Sequence, residues 1–136
     1  MPRLLGVDYG RVRIGLAVCD ELGIATSALG YVRRETDQQA AVIVAEMAKR
    51  ERVAGIVIGL PLHAHGDAGG NVKWVRDFTK ELAKVCALPV HEVDERYSSA
   101  EAEEQLRAEG RWPPKFGDVD ARCAAILLRR WLDGER

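Results

Sequence analysis

A chain of 136 residues is long enough to bury a substantial core and short enough for one domain. Hydrophobic residues at 47% and charged residues at 30% exclude a disordered or fibrous chain, while 20 basic against 21 acidic residues give no global pull toward or away from nucleic acid. The three cysteines, Cys19, Cys86 and Cys123, form no CxxC pair and no disulfide framework, no apolar run approaches the roughly 20 residues that cross a bilayer, and the opening residues lack a signal-peptide profile. Reduced core thiols, no membrane and a cytoplasmic location are the expectations.

The chain opens with "LLGVDYGRVRIGLAVC" (4–19). Leu4, Leu5 and Val7 form one apolar run; Ile14, Leu16 and Val18 alternate with Arg13, Gly15, Ala17 and Cys19 at the period of a strand. Gly10 predicts a tight turn, hence an antiparallel hairpin of strands 3–9 and 12–19. A third strand is predicted over 27–33, which makes a meander. The period then changes. Thr36 with Gln39 three positions later is a capping box, and Ala40, Ile43, Val44, Met47 and Ala48 follow at helical spacing. "VAGIVIGLP" (53–61) is a continuous apolar run suited to a strand covered on both faces. The polar loop "HAHGDAGGN" leads to a helix marked by Val72, Val75, Phe78 and Leu82, ending near Val85. "LPVHEVDER" holds the next strand, and Ser98 with Glu101 predicts a second capping box on a helix that stops at Gly110. Pro113 and Pro114 enforce a loop. The last helix starts near Asp118, with Ala121, Ala124, Ala125, Leu128 and Leu132 inward and Gly134 closing it. The order βββαβαβαα predicts an α/β fold over 1–136: a five-stranded mixed sheet with an N-terminal antiparallel meander and flanking helices.

Asp8 stands out, because an isolated charge in a buried strand costs several kcal/mol or shifts its pKa. In open α/β sheets, chemistry collects at the carboxyl ends of parallel strands. Two more acids belong to that neighbourhood: Glu95, expected to end the last strand, and Asp120, in the first turn of the final helix, where the dipole favours negative charge. If all three converge, their repulsion is about 4 kcal/mol per pair at 4 Å and an effective dielectric near 20, so cations or bound protons are needed. All-oxygen ligation suits Mg²⁺ or Mn²⁺, and two ions roughly 3.5–4 Å apart are the arrangement of phosphodiester-cleaving sites. Each acid taken singly also has a plain structural role. Asp8 can serve the turn, Glu95 can pair with Arg96, and Asp120 can be a helix-start acid beside Asp118. Spacing alone leaves both readings open.

Four stretches, "GVDYGRVRIGLAVCDELGIA", "VIGLPLHAHGDAGGNV", "DERYSSAEAEEQL" and "GDVDARCAAILLRRWL", resemble in order the motifs of the YqgF/RuvX family. These are small ribonuclease H-like nucleases described as Holliday junction resolvases or as nucleases of the ribosomal RNA precursor. The likeness is collinear from Leu4 to Leu132. It implies a ribonuclease H-like fold in which Asp8, Glu95 and Asp120 hold Mg²⁺ or Mn²⁺, two ions in all, and a metal-activated water attacks a phosphodiester. The implied substrate is Holliday junction-type DNA, the 5′ end of pre-16S rRNA, or both. Asp94 and Arg96 complete the family's DER motif and are expected to orient ligands or contact phosphate. The chain departs from the family pattern at "YSS", where threonines are common, and at His63, where an asparagine is usual.

Basic residues adjoin the acid-bearing segments: Arg11 and Arg13 beside Asp8, Lys73 and Arg76 at the start of the second helix, Arg111 and Lys115 ahead of Asp120. Together they predict a phosphate-contacting rim and salt-sensitive binding. Trp112 can stack on a base, though packing is the expectation for it, as for Trp74 and Trp131. His63, His65 and Asp67 carry the HxH spacing of a zinc site, but no further His or Cys stands at matching spacing, and an exposed loop flanking the cleft is expected. His91 is expected to be structural. The cysteines have no adjacent base, which argues against a thiol nucleophile.

The sequence thus favours a metal-dependent nuclease. One rival is a nucleotide-binding phosphotransfer domain of the actin/hexokinase type, whose opening hairpin is similar but which needs two domains and a second phosphate loop. Another is a non-catalytic nucleic-acid or ribosome-assembly module on the same fold. Resolving a four-way junction takes two active sites, hence a homodimer, although no dimer stripe is readable. DNA and RNA present the same phosphates to such a site.

Overall fold

The computed structural model describes residues 3–62 and 68–134. Its elements are β1 (Leu4–Asp8), β2 (Arg13–Cys19), β3 (Thr26–Arg33), α1 (Asp37–Arg50), β4 (Gly55–Leu60), α2 (Ala68–Val85), β5 (Val90–Asp94), α3 (Ser98–Ala108) and α4 (Asp118–Leu132), in the order that the patterning predicts. The sheet runs β3-β2-β1-β4-β5. β1, β2 and β3 pair antiparallel, whereas β1, β4 and β5 pair parallel.

The two faces of the sheet are built differently. On one, Leu5, Val7, Ile14, Leu16, Ile56 and Ile58 pack against Val44 of α1 and Phe78 and Leu82 of α2. Each such buried side chain contributes about 1.5–3 kcal/mol of transfer free energy. The other face carries Gly6, Gly15, Ala17 and Gly59 beneath α4, whose buried side includes Ala121, Ala124 and Ala125. A Cβ on Gly6 would lie 2.6 Å from the Ala124 carbonyl oxygen, and one on Gly15 would overlap the Asp120 carbonyl. Small residues therefore let the backbone of α4 lie directly on β1 and β2, which sets the position of Asp120.

Several boundaries differ from the sequence expectation. β5 stops at Asp94, so Glu95 stands one residue beyond the strand; its N–H still donates to the Leu60 carbonyl at 3.1 Å, extending the parallel ladder. α2 begins before Val72 because its first turn carries none of the apolar stripe that marks the rest. At α1 Thr36 caps the helix, the Gln39 N–H donating to Thr36 Oγ1 at 3.1 Å, while Gln39 Oε1 reaches one residue past the cap and accepts from the Glu35 N–H at 3.1 Å. At α3 the expected cap does not form. Tyr97 is the residue preceding the helix, its φ is 62° and it makes no side-chain cap bond. That left-handed turn places Ser98 inside the helix and buried, not at its cap. Leu132 is only partly buried. Among the described residues no helix is long and apolar enough to cross a membrane.

Candidate active site

Asp8 ends β1 and Glu95 follows β5, with β4 between them. At about 4.8 Å per strand spacing their backbones stand roughly 10 Å apart. Gly59 lies in the intervening row: it pairs with Val93, and the preceding Ile58 pairs with Val7. A Cβ there would be 2.6 Å from Leu127 Cδ1 and 3.0 Å from Glu95 Oε2. The gap lets Glu95 reach across β4 until its carboxyl hydrogen-bonds that of Asp8. Burial pushes the Asp8 carboxyl well above its ordinary value, and the charges of Glu95 and Asp120 push it the same way. Burial also raises Glu95, helped by Asp94, while the hydrogen bond from Asp8 and the charge of Arg130 pull it back. Burial raises both carboxyls, so the pair is favoured with a proton held between them rather than fully ionised.

Asp120 sits in the first turn of α4. Its carbonyl rests on Gly15, the residue paired with Asp8 across β1 and β2. The sheet thus brings the three acids to one end, where Arg13 engages Asp120: Arg13 Nε donates to Asp120 Oδ2 at 2.8 Å. In this arrangement no three His, Cys, Asp or Glu side chains among the described residues have the spacing to hold an ion. The chemistry of the set still fits a hard divalent cation, since it offers only carboxylate oxygens and two of the acids are kept from ionising together by burial and mutual repulsion.

The family profile described as RuvX, Holliday junction resolvase, matches residues 2–134. The chain belongs to the RuvX family. It is 41% identical over 133 residues to a Synechococcus elongatus protein named "Putative pre-16S rRNA nuclease", covering 97% of this chain and 89% of that one. An Anaeromyxobacter dehalogenans protein of the same name is 44% identical over 132 residues, covering 96% of each. Two solved structures share the ribonuclease H-like fold at low identity. RuvC of T. thermophilus in complex with a Holliday junction substrate has a TM-score of 0.63 at 19% identity, covering 97% of this chain and 94% of that one. The fowlpox virus resolvase with Holliday junction DNA has a TM-score of 0.58 at 11% identity, covering 97% of both. RuvX membership over nearly the whole chain leaves no segment to the phosphotransfer reading.

The basic residues divide. Arg13 is the one in contact with a candidate acid. Arg11 donates to the Tyr9 hydroxyl at 3.2 Å and lies 4.8 Å from the centroid of Trp74. Arg111 is 3.2 Å from Asp118, two positions before Asp120. The Lys115 N–H donates to Asp118 Oδ2 at 2.9 Å, so Lys115 belongs to the same turn. Lys73 and Arg76 lie on α2, across the sheet from the acids, where they pair with Asp77 at 2.7 Å and Glu92 at 3.4 Å. The structure does not bring these two to the acids. Asp94 Oδ1 accepts from the Arg96 N–H at 2.9 Å, which shapes the turn carrying Glu95.

Trp74 is 42% exposed rather than packed, because it faces Arg11 instead of the core. Trp112 lies with Arg107 4.0 Å above its ring, and Trp131 stacks on His91 at 4.5 Å. Cys123 is buried beside the acids, and burial pushes its thiol up to about 12, so it is no nucleophile. His63, His65 and Asp67 lie outside the described residues. Two features escape the sequence reading. Arg130 donates to the Asp94 carbonyl at 3.0 Å and places its charge near Glu95, and no motif marks it. Gly59 is the other: the signal that could have found it is a glycine inside an apolar strand, a common sign of a close backbone approach.

Proposed function

We propose that this protein is a divalent-metal-dependent nuclease that hydrolyses phosphodiester bonds of structured nucleic acid in the cytoplasm, with Asp8, Glu95 and Asp120 as its carboxylates. The contact between Asp8 and Glu95 across Gly59 carries this reading. Two acids pressed together in a buried place cost stability, and a fold that clears a glycine gap to let them meet has a use for them there. Mg²⁺ or Mn²⁺ held by these carboxylates supplies the charge that lets them ionise together and that offsets the charge developing on a phosphodiester attacked by water. The residues do the rest. Loss of the proton that the pair holds turns Asp8 and Glu95 into two carboxylates facing the substrate. Arg13, when it leaves Asp120 for a phosphate oxygen, frees the third. Asp94 and Arg96 fix the turn under Glu95, and Arg11, Arg111 and Lys115 extend the phosphate contacts.

The ribosomal RNA precursor is the preferred substrate on this reading, because relatives at 41–44% identity carry that name whereas the likeness to junction-bound resolvases is one of fold. Cleavage of four-way DNA junctions is the second reading, and it goes with a homodimer. The test is a panel of end-labelled pre-16S rRNA leader and four-way DNA junctions, each with Mg²⁺, Mn²⁺ or a chelator. Ion-dependent cleavage of the precursor is expected. Cutting of neither polymer, or cutting unaffected by the chelator, contradicts the proposal.

A further inference from the structure

Phe116, in the loop between α3 and α4, is 68% exposed, yet it is held in place. The guanidinium carbon of Arg13 lies 4.5 Å from its ring centroid. The Tyr31 ring meets it at 5.5 Å and 72°. Gly117, the next residue, has φ of 86°, and any side chain on it would overlap Tyr31. Tyr31 in turn is fixed by the sheet: it pairs with Gly15, and Gly15 pairs with Asp8. One row therefore runs Asp8, Gly15, Tyr31 across three strands, with its side chains on the same face and a span of about 10 Å. The same Arg13 that backs Phe116 holds Asp120 at 2.8 Å. The aromatic ring is thus one guanidinium away from the candidate acids.

We propose that Phe116 is a stacking platform for an unpaired nucleobase beside the cleaved bond, so that the enzyme selects strands with an unstacked nucleotide at that point. The proposal rests on the nuclease reading of the acids. The surroundings choose the occupant. Arg13 backs the ring, Arg33 pairs with Arg13 in the strand register, and Lys115 precedes Phe116. An exposed aromatic ring backed by a guanidinium suits a base carried on phosphates better than an apolar protein surface. A base inside a duplex is already stacked and cannot reach the ring, whereas an unpaired one presents a free face.

The test uses the Asp8→Asn protein, which is expected to bind without cutting, in Mg²⁺ buffer. It is titrated with 2-aminopurine-labelled single strands of RNA and of DNA, which show the sugar preference, and with the matching duplexes. Adding Phe116→Ala should weaken single-strand binding about tenfold or more and abolish 2-aminopurine quenching, with duplex affinity unchanged. Phe116→Trp should restore both, and Phe116→Leu neither. Equal weakening on single strand and duplex, restoration by Phe116→Leu, or no weakening at all overturns the stacking role while nuclease activity stands. Failure of Asp8→Asn protein to bind any of these nucleic acids, with thermal unfolding showing it folded, overturns both readings together.

Discussion

Arg13 and Asp120, 107 residues apart in the chain, are joined by a 2.8 Å ion pair at the end of the sheet. Both side chains are partly exposed, at 35% and 25%, so the pair adds little to stability. It occupies the third acid, whose charge also acts on Asp8.

Replacing Arg13 by Ala should therefore leave the unfolding free energy within about 1 kcal/mol of wild type. Its effect should appear in nucleic-acid binding. The slope of log Kd against log salt should fall by about one, as expected when one phosphate contact is lost. An unchanged slope would show that Arg13 makes no phosphate contact.

The Asp8 carboxyl predicts a pH dependence with a definite sign. Its folded pKa is raised above the ordinary 3.8, so over the window above that value the folded state binds more protons than the unfolded chain. Stability must then fall as pH rises from about 4 toward the folded pKa. Asp8→Asn, which keeps the shape and removes the ionisation, should unfold at a higher temperature than wild type near neutral pH in chelator and should flatten this part of the profile. Melting curves at stepped pH decide it; a lower melting temperature for the variant at neutral pH would oppose the account.

Gly59→Ala tests the gap through which Glu95 reaches Asp8. The added methyl meets Leu127 at 2.6 Å and Glu95 at 3.0 Å, an overpacking of about 1–3 kcal/mol, and it should reduce cleavage by displacing Glu95. Gly55→Ala, on the same strand, has its nearest contact at 3.1 Å from the flexible end of Leu4 and should retain activity. Matched losses in both variants would mean that only stability was affected.

The elements were legible because most apolar stretches carry one clear period, as in Ile14, Leu16 and Val18 or in Ala40, Val44 and Ala48, while the unbroken run at 53–61 fits a strand buried on both faces. The placing of Asp8, Glu95 and Asp120 at one end of the sheet also followed from strand ends and a helix start. What could not be read is which side chains meet across elements. Arg130 reaches the turn beside Glu95 from the last helix, Phe116 finds Arg13 and Tyr31 from two strands, and Trp74 faces an arginine rather than the core. None of these pairings leaves a period or a motif. The cap of α3 was misplaced for a local reason: a left-handed Tyr97, a conformation that sequence rarely announces outside Gly and Asn, turns Ser98 inward.

The most direct test of the three-acid site is single-turnover cleavage of pre-16S rRNA leader by Asp8→Asn, Glu95→Gln and Asp120→Asn proteins shown to be folded, in Mg²⁺ or Mn²⁺. Each should lose on the order of 10³-fold in rate, about 4 kcal/mol of barrier. Wild-type cleavage by the Asp8→Asn protein would contradict the account.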